Sequence, residues 1–125
     1  MKKFFRGFAF AFEGLVESVR GGLNMKFHVF AALCVIILSF LLGLSALEWC
    51  IIFLCIGCVI AAELMNTALE HTVDFVSKEY HPLAKKAKDA AAGAVLIISI
   101  VAFIIACILF IPKLIVCLNT YFHSL

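Results

Sequence analysis

Three carboxylates and an amide recur at helical spacing in one stretch of this chain: Glu63, Asn66, Glu70 and Asp74. At roughly 100° per residue these four and Thr67 share an arc of about 100°, so a helix carrying them presents one polar stripe. Leu64, Met65, Ala68 and Leu69 form its backing, suited to lipid or to neighbouring helices. Oxygen ligands so arranged can bind a divalent cation, or one carboxyl can hold a proton and serve as a base. Glue between helices, or acids reaching for water at a helix end, is the competing use. Further on, Lys85, Lys86, Lys88 and Asp89 add cations suited to phosphate and a fourth acid. Lys85 and Lys86 equally suit lipid headgroups, the common use of basic residues just inside a membrane. Carboxylates for a metal, lysines for phosphate and an apolar approach together suggest phosphoryl transfer to a lipid. Neither a P-loop GxxxxGK[ST] nor the glycine loop of protein kinases occurs.

The elements that must position these groups belong in a bilayer. Of the 125 residues 66% are apolar and 14% charged, with a mean hydropathy of +1.18, against roughly 45–50% apolar for a soluble average. Too little polar surface remains to cover a water-soluble globule, which excludes a soluble enzyme. A net charge of +2 gives no reason to expect nucleic acid as a partner. Residues 1–125 read as a single all-α integral-membrane domain. The first span is expected over 27–47, where His28 is the lone ionisable group. The second, over 49–76, begins apolar and ends in the polar stripe. The third is expected over 90–111, with Pro112 and Lys113 marking its end.

Ahead of these, residues 2–20 place Phe4, Phe5, Phe8, Phe12, Leu15, Val16 and Val19 at three- and four-residue intervals among charged residues. That pattern predicts an amphipathic helix lying in the membrane surface. Arg6, Glu13, Glu17 and Arg20 interrupt it too often for a cleaved signal peptide, so the N-terminus is expected to stay. Gly21-Gly22 offers the break at which the chain turns into the bilayer. Nine of the ten basic residues fall before the first span or between the second and third, placing both segments and the acidic stripe on the cytoplasmic side. The six cysteines all lie in or beside apolar runs, and Cys55 and Cys58 have no nearby His or charge. They read as packing residues, without a disulfide framework.

Glu63, Asn66-Thr67, Glu70 and Asp74, followed by Glu79-Tyr80-His81 and Lys88-Asp89, resemble the small integral-membrane kinases of the prokaryotic diacylglycerol kinase and undecaprenol kinase family. The likeness covers nearly the whole chain. Asn24 and His28, in Asn24-Met25-Lys26-Phe27-His28, look like the NxxxH segment of the undecaprenol branch. The resemblance implies a homotrimer of three-span subunits in the bacterial inner membrane, with Mg²⁺ and ATP at the cytoplasmic face and a lipid alcohol arriving sideways. Undecaprenol is the expected acceptor, with diacylglycerol the alternative. It also implies roles: Glu63 as general base, Asn66 as its positioning neighbour, Glu70 as metal ligand, and Lys88 and Asp89 at the nucleotide. Lys3 and Arg6 fall where the family's surface helix offers cations to ATP, and Asp74 matches an acid of structural or nucleotide-facing use. The chain departs from the pattern at Gly22, where the family has a second metal-binding Glu. That loss implies weaker Mg²⁺ binding, or an impaired relative acting as a membrane binding or scaffold protein, unless Glu17 substitutes. A Glu at position 22 is expected to gain both from the metal and as the better helix former.

Overall fold

The computed structural model describes residues 2–76 and 79–123, and every regular element is a helix. These are α1 (Lys2–Gly21), α2 (Leu23–Leu41), α3 (Ala46–Val76) and α4 (Pro82–His123). The latter three are long and apolar enough to cross a membrane. At a rise of 1.5 Å per residue they measure roughly 28, 46 and 63 Å, against about 30 Å of hydrocarbon.

The helix ends differ from the expected spans, each for a local reason. Gly22 alone breaks the chain between α1 and α2; as N-cap of α2 it is extended, with φ −100° and ψ 127°. Its N–H still bonds Ser18 O at 3.0 Å, so the interruption costs α1 little. Consequently α2 starts at Leu23, four residues ahead of the expected span.

Its other end falls at Leu41, six residues short of 47. Leu44 N–H bonds Ser39 O at 3.2 Å and Gly43 N–H bonds Phe40 O at 3.3 Å, around Gly43 at φ +60°. This is a Schellman closure, with glycine at the left-handed position and the hydrophobic Leu44 turned into the core. Ser45 then opens α3 through a capping box: Ser45 N–H donates to Glu48 Oε2 at 2.7 Å and Glu48 N–H to Ser45 Oγ at 3.4 Å.

At its start α4 takes in Lys85, Lys86, Lys88 and Asp89, which the sequence suggested for a connection. At its far end it runs through Pro112 to His123. Proline removes one N–H and is tolerated in bilayer helices where neighbouring groups compensate.

Packing is graded along the long axis of the helices. At the α2–α3 turn, Leu44, Ile52 and Phe110 form a tight core with Leu38, Trp49 and Leu109 against it. Trp49 lies between Phe40 and Phe53, with ring centroids 4.7 and 5.2 Å away. Glu48 and Lys113 form an ion pair of 3.2 Å beside this core, joining the start of α3 to α4. Toward the opposite end the packing loosens into a cavity and then gives way to the polar stripe. There α1 packs on α2 and touches α3.

Candidate active site

Glu63 and Asn66 are the buried polar residues of α3, each 4% exposed, although most of the apolar surface around them is open. Helical spacing puts them one turn apart and Glu70 one turn beyond Asn66. Asn66 Nδ2 donates to Glu70 Oε1 at 3.2 Å, which fixes both side chains along the stripe. That bond turns Asn66 Oδ1 inward, where it is buried without a hydrogen-bond partner. An orphaned buried oxygen costs roughly 1–3 kcal/mol, a cost that a hydroxyl, a water or a cation at Asn66 Oδ1 would relieve. A second element contributes as well: His28 of α2 lines the same cavity as Val59 and Ile60 of α3, the turn before Glu63.

Farther along, Asp74 Oδ1 and Lys88 Nζ form an ion pair of 2.5 Å that ties the end of α3 to the start of α4. Asp89 pairs with Lys85, one turn back on its own helix. Lys88 and Asp89, expected together at the nucleotide, therefore hold different partners. Lys88 is one-third exposed and Asp89 well over half, so both ion pairs can open toward water at low cost. Lys3 and Arg6 are exposed on α1 and form no ion pair among the described residues. Lys78, counted among the basic residues of the α3–α4 connection, lies outside the described residues, as does Ser77.

Two features of this end were absent from the sequence reading. His28 and Ile60 line one cavity although they lie 32 positions apart, which leaves no local signature. The Asp74–Lys88 pair spans a chain reversal, although opposite charges facing each other across a short connection were a usable hint.

The donors suit a hard cation. Glu70 and Asn66 Oδ1 supply oxygen only, and Mg²⁺ typically takes one or two carboxylates, with waters and substrate phosphates completing its shell. Among the described residues no group of three or more His, Cys, Asp or Glu side chains gathers around one point. Glu70, with Asn66 Oδ1 one turn away, would be the protein's share of such a site. At position 22 an added Cβ would stand 3.2 Å from Ser18 O and 3.6 Å from Met25 Cβ, a close fit.

The sequence profile of prokaryotic diacylglycerol kinase matches residues 9–110. The chain belongs to that family. As a member it is a lipid kinase, and the matched region contains Glu63, Asn66, Glu70, Lys88 and Asp89. It is 49% identical over 114 residues to the undecaprenol kinase of Bacillus subtilis, covering 91% of this chain and 93% of that one. A diacylglycerol kinase of Synechocystis is 41% identical over 86% of this chain and 62% of its own length. One from Helicobacter pylori is 34% identical over 77% of this chain and 75% of the relative. Family membership accounts for phosphoryl chemistry in a chain that has neither a P-loop nor a glycine-rich kinase loop.

Proposed function

We propose that this kinase transfers the γ-phosphoryl group of ATP to the hydroxyl of a membrane lipid alcohol, and that the acceptor is undecaprenol. The observation that carries the reading is Glu63. It is a buried carboxylate at the junction of an apolar and a polar stretch on one face of α3, one turn from an unsatisfied amide oxygen. A lipid hydroxyl meets water-soluble phosphate at such a junction.

In the proposed mechanism the acceptor hydroxyl donates its proton to Glu63 as its oxygen attacks the γ-phosphorus. The bond from that phosphorus to the bridging oxygen breaks, and ADP leaves with the electron pair. Asn66 holds Glu70 in place and offers Oδ1 toward the reacting groups. Glu70 would hold Mg²⁺, which supplies charge neutralisation at the phosphates. Lys88, released from Asp74, and Lys3 and Arg6 from α1 are the cations for the nucleotide, and Asp89 completes that end.

Undecaprenol is favoured by the name and the 49% identity of the Bacillus subtilis relative. Diacylglycerol is the second reading, after the names of the other relatives. The distribution of Lys and Arg supports a cytoplasmic site in a bacterial inner membrane. The open apolar faces of the three long helices leave room for lipid and for the contacts of a homotrimer.

The test uses purified protein in mixed micelles, given radiolabelled ATP with undecaprenol and diacylglycerol in parallel. Label in undecaprenol alone or in large excess is expected. Equal or greater label in diacylglycerol would reverse the substrate assignment. No labelled lipid in either, beside an active relative, would mean that Gly22 has cost the chain its activity and would leave a binding or scaffold role.

A further inference from the structure

The far end of the molecule carries groups that the proposed reaction does not use. α4 is uncharged from Ala90 to Ile111, and Lys113 follows Asp89 by 24 residues, roughly 36 Å of helix against about 30 Å of hydrocarbon. With Lys85 to Asp89 at one membrane surface, Lys113 and its partner Glu48 therefore stand at the other. Along α3 that pair is 15 positions, roughly 22 Å, from Glu63. Past Lys113 α4 continues for ten residues to His123, whereas α2 has ended at Leu41 and the chain has turned back into α3. The protruding turns of α4 and the end of α2 bound an open groove of about 460 Å³, within the roughly 300–1,000 Å³ of ligand pockets. Leu41, Leu42, Pro112, Val116 and Cys117 make it apolar, and Lys113 is the charged group of its lining.

The charges at this groove have capacity to spare. Glu48 Oε2 takes both the Ser45 N–H at 2.7 Å and Lys113 Nζ at 3.2 Å, while Glu48 Oε1 has no hydrogen bond among the described residues. Lys113 has three N–H donors and spends one on Glu48. Neither side chain is sealed from its surroundings, at 30% and 22% exposed.

We propose that this groove seats a phospholipid of the leaflet opposite the candidate active site, one whose headgroup carries both a phosphate and a primary ammonium, as in phosphatidylethanolamine. An acyl chain lies against Leu41, Leu42 and Val116. The phosphate accepts from Lys113, and the ammonium, a few bonds away, donates to Glu48 Oε1. Both contacts are charge-assisted hydrogen bonds. The paired charges select the headgroup. Phosphatidylcholine offers a phosphate but has no N–H for Glu48, and phosphatidylglycerol brings a negative charge beside that carboxylate with no cation to match it.

The test follows lipid retention by the full chain in detergent, using native mass spectrometry. The chain is titrated with phosphatidylethanolamine, phosphatidylcholine or phosphatidylglycerol of identical acyl chains. One phosphatidylethanolamine per chain is expected to remain, with a Kd about tenfold below that of either other lipid, roughly the worth of one hydrogen bond to a charged group. Glu48→Gln should move the preference to phosphatidylglycerol, because Lys113 is then left without its anion. Val116→Trp should fill the groove and weaken all three by about tenfold or more, with helical content and oligomeric state like the parent's. A phosphatidylethanolamine with a diazirine near the top of one acyl chain should label the peptide holding Val116 and Cys117 in the unaltered chain. Unlabelled phosphatidylethanolamine should compete for that site far better than phosphatidylcholine. This arm needs no substitution, so it decides the location even when a variant fails to fold.

Equal retention of the three lipids would overturn the proposal and leave ordinary boundary lipid. A preference of the parent for phosphatidylglycerol would overturn the headgroup assignment, by making Lys113 a plain anion site. Label away from the groove, or undiminished retention in a folded Val116→Trp, would overturn the location. Every arm is read without ATP, so none depends on the kinase reading.

Discussion

Asn66 divides its two polar atoms between two tasks, and the consequences reach both neighbours. Its nitrogen steadies Glu70, while its oxygen stays buried and unpaired. Replacing Asn66 by Ala should therefore raise the Mg²⁺ concentration needed for half-maximal activity, because Glu70 loses its anchor. A metal titration of the purified variant checks this. Glu63→Gln should keep ATP binding and lower phosphoryl transfer by roughly 10²–10⁴, the usual worth of a positioned base. Turnover near the parent rate would make Glu63 a structural acid. Gly22→Glu should lower the Mg²⁺ requirement, with Gly22→Gln as the uncharged control. The helix-former advantage expected for Glu does not apply, because Gly22 is an extended N-cap, where glycine is itself well suited. A loss in both variants would point to the 3.2 Å approach to Ser18 O, and a gain in both to backbone order. The stripe of Glu63, Asn66 and Glu70 was readable because it repeats with the helix period inside one segment. The neighbourhood of His28 was not, because it depends on how two helices meet.

The α2–α3 turn shows what hydropathy misses at the level of elements. An apolar run from Phe27 to Leu47 reads as one span, yet the helix stops inside it, because Leu42 and Leu44 are as apolar in a turn as in a helix. The informative residues were Gly43, able to take φ +60°, and Ser45 with Glu48 three positions on, which spell a helix start. Ser45→Ala should destabilise the hairpin by about 1 kcal/mol, the usual worth of a lost N-cap. Gly43→Ala should cost roughly 1–2 kcal/mol through its left-handed backbone. Unfolding in mixed detergent, followed by circular dichroism, measures both. The core of Leu44, Ile52 and Phe110 lies beside this turn, so the losses should appear as separation of α3 from α4 as well as fraying of α2. By contrast α1 runs over Lys2–Gly21, and Gly22, in the glycine pair at which a break was expected, ends it.

For the whole molecule the crude quantities were the most legible: the apolar fraction and three helices long and apolar enough to cross a membrane. How the spans meet, and with how many copies, depends on surfaces that a single sequence leaves open. Orientation is testable in a background lacking the native cysteines. A cysteine at Ser45 should react with an impermeant thiol reagent in whole cells. One at Ser77, or at Tyr80, which lies within the described residues and is exposed, should react only after permeabilisation. The Glu48–Lys113 pair gives that orientation an electrical meaning. In the proposed arrangement both side chains cross the bilayer during synthesis, Glu48 with the α2–α3 hairpin and Lys113 later at the end of the last span. A potential negative inside drives the acid outward and opposes the lysine, by roughly 2.3 kcal/mol per charge per 100 mV. The pair transfers no net charge, and the hairpin that crosses first carries the charge that the field helps. Glu48→Lys would make that first crossing run uphill. Such a chain should insert more slowly in energised cells, and at nearly the parental rate once an uncoupler has collapsed the field.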